Sequence, residues 1–343
     1  MSLHDRLIGA TIPAHPLALT EDRTMDERSQ TALTRYYCAA GATGLAVGVH
    51  TTQFELHHDR GLLCHVLDMA ATTAKESGAT PLLVAGITGD TATAVEEATL
   101  ARELGYHAVL LSPWGMAEAT PAKLLERAAA VGEELPTIGF YLQTAIGGPT
   151  LDASFWAALF DQPNLVGVKI APFNRYRTST VLRTLAHHDR WDDIVALTGN
   201  DDAIVADLTT PTRVSRSDGS VREVKIAGGL LGQWAVGTRA AVELTRRATR
   251  ASSACTIDAD LLALGNDVTR INQALFDVDN DFAGCVPGVN ELLRQQGLVR
   301  TALTLGPDRL SPGQSDQIQQ VLGEFPDLLD STFIAENLDR WRS

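Results

Sequence analysis

Between Leu7 and about Ala251 the chain alternates short apolar runs with longer amphipathic segments, and this rhythm is its strongest constraint. The runs are LIGATIPA (7–14), GLAVGVH (44–50), PLLVAGIT (81–88), HAVLLSP (107–113), TIGFYLQ (137–143), LVGVKIAP (165–172), DIVALTG (193–199) and VKIAGGLL (224–231). Continuous apolar strands are buried on both faces, which is the mark of a parallel sheet. Eight strand candidates, each followed by a helix candidate at a repeat of 26 to 37 residues, predict an α/β protein of (β/α)8 TIM-barrel type over residues 1–252. An open doubly wound sheet is the competing architecture. It usually begins with a glycine-rich phosphate turn, and no G-x-G-x-x-G follows any run. Among the intervening segments, TPAKLLERAAAVGEEL has Thr120 placed to cap a helix and Pro121 at its first turn.

Beyond residue 252 the pattern changes. TIDADLLALGNDVTRINQALF, VPGVNELLRQQGLV and SPGQSDQIQQVLGEF read as helices broken by Pro and Gly, so residues 253–343 are expected to form a C-terminal helical appendage packed on the barrel. One polar stretch, TPTRVSRSDGSVREV (210–224), interrupts the rhythm before the eighth run. Its Ser-Asp-Gly predicts a turn, and hence an inserted loop or hairpin on the N-terminal side of the barrel.

A formal charge of −14 argues against a nucleic-acid partner or an anionic membrane surface. No apolar window of about 18 residues occurs, and the N-terminus lacks the charged-then-apolar pattern of a signal peptide. Cys38, Cys64, Cys255 and Cys285 form no C-x-x-C pair, which suggests reduced thiols in a cytoplasmic protein. No metal or cofactor is expected. DVDNDFAG (277–284) begins like a calcium loop but has Phe282 where glycine is needed and Gly288 where glutamate is needed. The adjacent pairs His57-His58 and His187-His188 point about 100° apart on a helix and make no two-ligand face.

The chemistry is concentrated in the sixth run. Only four lysines occur, and Lys169 stands near the middle of an apolar run, between Val168 and Ile170. Past the middle of a barrel strand it lies toward the C-terminal end, where catalytic groups cluster. Burial disfavours the ammonium form, and a neutral amine attacks a ketone or aldehyde to give a Schiff base. The competing reading pairs Lys169 with a buried acid or lets it snorkel to the rim. Tyr141 lies one βα unit earlier, where a phenol would pass protons near the imine; it also reads as a core tyrosine. Thr51 and Thr52 leave the second strand at a helix approach and suit a carboxylate, or simple turn chemistry.

Taken together these residues resemble the dihydrodipicolinate synthase / N-acetylneuraminate lyase family of Schiff-base aldolases, over roughly residues 5–300. ATIPAHPLALTEDRTMDER resembles the family's first strand and the helix start after it. GVHTTQFEL loosely matches its Gly-Thr-Thr-Gly-Glu carboxylate loop, GVKIA its lysine strand, GNDD (199–202) its glycine–aspartate turn, AGGLLG (227–232) its strand-eight glycines and PGVNELLRQQGL (287–298) its late helix. The resemblance implies Lys169 as the imine-forming residue and Tyr141 as its phenol. It implies His50, Thr51, Thr52, Gln143, Asn200 and Gly229 as substrate-binding residues, with Gln233 and Trp234 beside them. It further implies a pyruvate-type 2-oxo acid as substrate and a homo-oligomer, dimer or tetramer. Several positions depart from the synthase: Gln53-Phe54 stand for Gly-Glu, Pro113-Trp114-Gly115 for Pro-Tyr-Tyr, Leu142-Gln143 for Asn-Pro, and Ile146 for the second-substrate arginine. A related lyase, and not dihydrodipicolinate synthase itself, is therefore expected. Two other readings stay open: a 2-oxo acid sensor without turnover, and a phosphate-ester enzyme using the loops after strands seven and eight, with backbone donors from AGGLLG.

Overall fold

The apolar runs become strands because their Val, Ile, Leu and Ala side chains are buried on both faces of one sheet. A computed structural model describes residues 1–343. Its strands are β1 (Thr11–Pro13), β2 (Gly44–Val47), β3 (Leu82–Ile87), β4 (Ala108–Leu111), β5 (Thr137–Leu142), β6 (Leu165–Ala171) and β7 (Val195–Thr198), then β8 (Thr212–Ser215), β9 (Val221–Val224) and β10 (Ile226–Leu231). Eight form a single sheet in the order β1-β10-β7-β6-β5-β4-β3-β2. The pairs resolved from β3 through β7 to β10 are parallel, and a parallel bridge between Ala14 and Ala46 joins the two ends of the order. Helices connect successive strands. The fold is a nearly closed (β/α)8 barrel with C-terminal helices.

Two local expectations hold in detail. Thr120 caps the helix Pro121–Gly132, accepting from the Lys123 amide at 3.3 Å, with Pro121 in the first turn. The 210–224 insertion is an antiparallel hairpin, β8 on β9, with Val214 opposite Arg222. Arg222 donates to the carbonyls of Ala186 (2.9 Å) and His188 (2.8 Å) at the end of the helix Arg175–His187, and its guanidinium stacks on Trp191. That helix ends on the N-terminal side of the strands, so the hairpin lies away from the strand ends that carry chemistry.

The first strand is shorter than its apolar run. Leu3–Leu7 coils into a helix because Ser2 and Asp5 form a reciprocal capping box, and strand pairing begins only at Thr11. No strand occurs after Leu231. The helices Ala259–Leu275, Cys285–Gln295, Gln314–Glu324 and Ser331–Arg342 follow, and no helix is long and apolar enough to cross a membrane.

By contact density the chain divides into two compact units. One comprises residues 1–10, 84–230 and 245–262 and holds β4 to β9 with most of β3 and β10. The other comprises residues 11–83, 231–244 and 263–343, and holds β1, β2 and the last three helices with most of the helix before them.

Candidate functional site

Lys169 is 8% exposed on β6, opposite Phe140 of β5 on one side and Leu197 of β7 on the other. Its amine lies 4.4 Å from the centroid of the Phe140 ring. The stem of the side chain crosses the exit of β7 at Gly199. A Cβ at that position would stand 2.6 Å from Lys169 Cε, 2.8 Å from Ala171 Cβ and 3.1 Å from Lys169 Cγ, so glycine leaves room for both the lysine stem and the end of β6. Burial pulls the pKa of Lys169 down to about 8, against the nearby Asp201 carboxylate, which raises it. At pH 7 roughly a tenth of such an amine is neutral, against fewer than about one in a thousand for an ordinary lysine.

Tyr141 does not join it. The β5–β6 register pairs Tyr141 with Ile170, one step out of phase with Lys169, and side chains alternate between the two faces of a strand. The phenol therefore lies in the helix layer. Its ring sits 5.0 Å from that of Trp156, and its hydroxyl donates to Leu151 O (3.2 Å) and accepts from Leu151 N (3.4 Å). Phe140, which carries no proton to give, occupies the place beside the amine. Gln143 is buried just past the end of β5, with its carbonyl accepting from Gly148 N at 3.0 Å.

Asn200 braces the loop with its amide. Its Oδ1 accepts from the Phe173 amide at 3.1 Å, while Nδ2 donates to Thr178 Oγ1 (3.2 Å) and Asp207 Oδ2 (2.9 Å). Both ends of the amide are spent on protein. The first of these bonds holds Phe173, whose φ of 49° is unfavourable for a bulky residue, immediately after the lysine strand. Asp207 additionally accepts from Thr198 Oγ1 (2.6 Å) and pairs with Arg175. A hydrogen-bonded frame thus ties the exits of β6 and β7 together around the lysine.

Gly229 pairs with Thr198 of β7 and donates its N–H to Ala10 O at 2.9 Å, so that donor belongs to the sheet. At its neighbour Gly228 a Cβ would lie 2.8 Å from both the N and the O of Ala10. Close backbone approach accounts for Gly228.

His50, Thr51 and Thr52 form a 3-10 turn in the other unit. Thr51 Oγ1 donates to Ala14 O (2.8 Å) and Thr52 Oγ1 to His15 O (2.6 Å); Thr52 Oγ1 also accepts from Gly48 N and Val49 N. The hydroxyl protons are used to fasten the turn to the segment after β1, and a ligand would meet only oxygen lone pairs and main chain. His50 is half-buried, with its ring 5.5 Å from that of Phe54. Gln233 and Trp234 are buried on the 3-10 turn after β10.

Sequence reasoning passed over His15 in this unit. It is fully buried, donates from Nδ1 to Pro16 O and accepts at Nε2 from Thr34 Oγ1, both at 2.8 Å. Burial lowers its pKa to about 4, so it is a neutral structural imidazole. The other residue passed over is Asp201, 7% exposed, which the sequence offered only as one letter of GNDD.

No family model matches the sequence, and no curated protein matches it. Solved structures do. An N-acetylneuraminate lyase from Fusobacterium nucleatum superposes with a TM-score of 0.73 at 16% identity, covering 93% of this chain and 99% of that one. The chain has the fold of the dihydrodipicolinate synthases and N-acetylneuraminate lyases. A dihydrodipicolinate synthase from Bacteroides thetaiotaomicron gives 0.73 at 17% identity, with 93% and 98% covered. A prophage protein of the dihydrodipicolinic acid synthase family from E. coli K12, solved with pyruvate, gives 0.74 at 16% identity, with 92% and 98% covered.

Proposed function

We propose that the chain is a lysine-dependent lyase or aldolase that forms an imine between Lys169 and a pyruvate-type 2-oxo acid. The observation that carries this reading is the amine itself: buried on a barrel strand, with its pKa pulled to about 8, and with its stem packed against Gly199. A surface lysine needs none of this. The fold shared with lyases and synthases, one of them solved with pyruvate, supports the substrate class. Ile146 and the Trp114-Gly115 turn argue for a second-substrate pocket unlike that of dihydrodipicolinate synthase. A cytoplasmic homo-oligomer, dimer or tetramer, belongs to the same proposal, and sedimentation velocity measures the assembly.

The test is reduction with borohydride in the presence of pyruvate and a panel of other 2-oxo acids, read by intact mass and peptide mapping. An adduct on the Lys169 peptide is expected, absent in Lys169→Ala; no adduct with any acid would remove the reading.

Phe140 favours a second reading. A ring without a hydroxyl beside the amine suits a protein that binds a 2-oxo acid and does not turn it over. Saturable binding with no product from any aldehyde or adduct in the panel would favour it.

A further inference from the structure

The helix that returns from β7 is too short to cover its strand. Ile204–Thr209 spans six residues and rises only about 9 Å. After it the chain turns into the β8–β9 hairpin, which leans on the helix Arg175–His187 through Arg222. A gap is left between the hairpin and the end of the helix Thr238–Ala254. It is a cavity of about 360 Å³ over the first residues of β7 and β10. Its walls are largely hydrocarbon, from Ile8, Trp191, Ile194, Leu208, Val224 and Ile226. Ile8 is half exposed, which leaves an apolar side chain in water at the mouth.

This cavity is separate from the lysine site. Ala196 and Ile226 are register partners, and both line it. Lys169 stands level with Leu197, the next residue of β7, and side chains alternate between the faces of a strand. The cavity therefore lies on the helix side of the sheet and the amine on the other side.

The polar groups are few, and one is a charge with capacity to spare. Glu223 Oε2 accepts from Arg213 Nε at 2.8 Å, and its Oε1 lies 3.3 Å from Lys225 Nζ. One carboxylate thus serves two cations. The Lys225 ammonium also donates to Ser252 O at 3.3 Å. Both of its contacts are long, and an ammonium has three N–H donors, so one donor remains for a ligand. A cleft of this size, apolar with one convergent charge, has the form of a small-molecule site.

We propose that this cavity binds a small carboxylic acid with a compact apolar body. The carboxylate pairs with Lys225, and the body lies against Ile194, Leu208 and Ile226. A cationic ligand is disfavoured, because Glu223 is already shared between two cations and Asp192 stands exposed to water. The site is independent of the imine reading above, and binding makes and breaks no covalent bond.

The experiment is isothermal titration calorimetry of the full-length chain with phenylacetate, phenylacetamide and phenethylamine. The proteins are wild type, Lys225→Met, Ser252→Trp and Lys169→Ala, each checked for folding by circular dichroism. One phenylacetate per chain is expected. Lys225→Met should weaken it on the order of tenfold. Ser252→Trp adds bulk on the helix wall, leaves the main-chain carbonyl in place, and should remove binding. Lys169→Ala should bind phenylacetate as wild type does. Phenylacetamide should bind wild type on the order of tenfold more weakly than phenylacetate. The proposal is overturned by no saturable binding of phenylacetate, or by binding that survives both Lys225→Met and Ser252→Trp unchanged. Binding lost in Lys169→Ala, or tighter binding of phenethylamine, overturns it as well. If Lys225→Met does not fold, the two neutral and anionic probes on wild type decide, and equal affinity overturns the role of the charge.

Discussion

At position 199 a single methyl group would collide with the lysine stem, and this makes Gly199→Ala the most informative small change in the site. The same methyl would stand 2.8 Å from the Cβ of Ala171 at the end of β6, so the amine is pushed off its line and the strand exit has to shift with it. Misplacing a reacting atom by about 1 Å costs on the order of 10²-fold in rate. Borohydride trapping by Gly199→Ala should slow by at least that factor, with some loss of melting temperature from the Ala171 contact; an unchanged rate would mean that the observed path of Lys169 is not the reactive one. Tyr141→Phe is expected to behave in the opposite way. It removes one buried hydroxyl bonded to Leu151, worth about 1 kcal/mol, and touches nothing near the amine. Its urea midpoint should fall while trapping stays at the wild-type rate. A collapse in trapping would return the phenol to the mechanism. The face that Tyr141 takes is not legible in the sequence, for a physical reason. The apolar run TIGFYLQ locates a strand, but the face a given residue occupies depends on pairing register, and one step reverses it.

The elements themselves were legible. Continuous apolar runs gave all eight barrel strands, Thr120-Pro121 gave a helix start and Ser-Asp-Gly gave the hairpin turn, because each follows from local backbone preference or two-sided burial. Connections made between elements were not legible. Asn200 reads as a pocket residue until its amide is seen bridging Phe173, Thr178 and Asp207, and His15 carries no sequence signal at all. His15 makes its own prediction. Its folded pKa of about 4 lies below the value near 6.5 of an unfolded histidine. The unfolded chain therefore binds more protons between those values, and stability is lost as pH falls from 6.5 toward 4, by up to about 3 kcal/mol. In His15→Gln this share of the acid limb should vanish. Urea midpoints measured at pH 7 and pH 4.5 should then differ less in the variant than in wild type, and an equal difference in both would assign the acid sensitivity elsewhere.

The grouping of residues 11–83 with the C-terminal helices is a property of the whole chain, and it has an identifiable anchor. Helices leave their first N–H groups without partners, and the helix Thr238–Ala254 meets this need from two distant places. Asp330, buried near the C-terminus, accepts from Arg239 N (2.7 Å) and Ala240 N (3.0 Å) and also from the Tyr36 hydroxyl (2.7 Å). That hydroxyl in turn accepts from Thr238 N at 2.9 Å. Three segments far apart in sequence thus meet at one helix start, and the chain entropy lost in bringing them together is offset only if all three are present. Asp330→Ala leaves three donors in a buried place with one acceptor fewer, at a cost of about 3 kcal/mol. Tyr36→Phe alone should cost about 1 kcal/mol. Because the two side chains share one network, the double variant should lose less than the sum, with a coupling of at least about 1 kcal/mol in a urea double-mutant cycle. Strict additivity would mean that Asp330 and Tyr36 stabilise the helix start independently, and that the last helix is held in this unit by the apolar contacts of its own Trp341 and Ile334 instead.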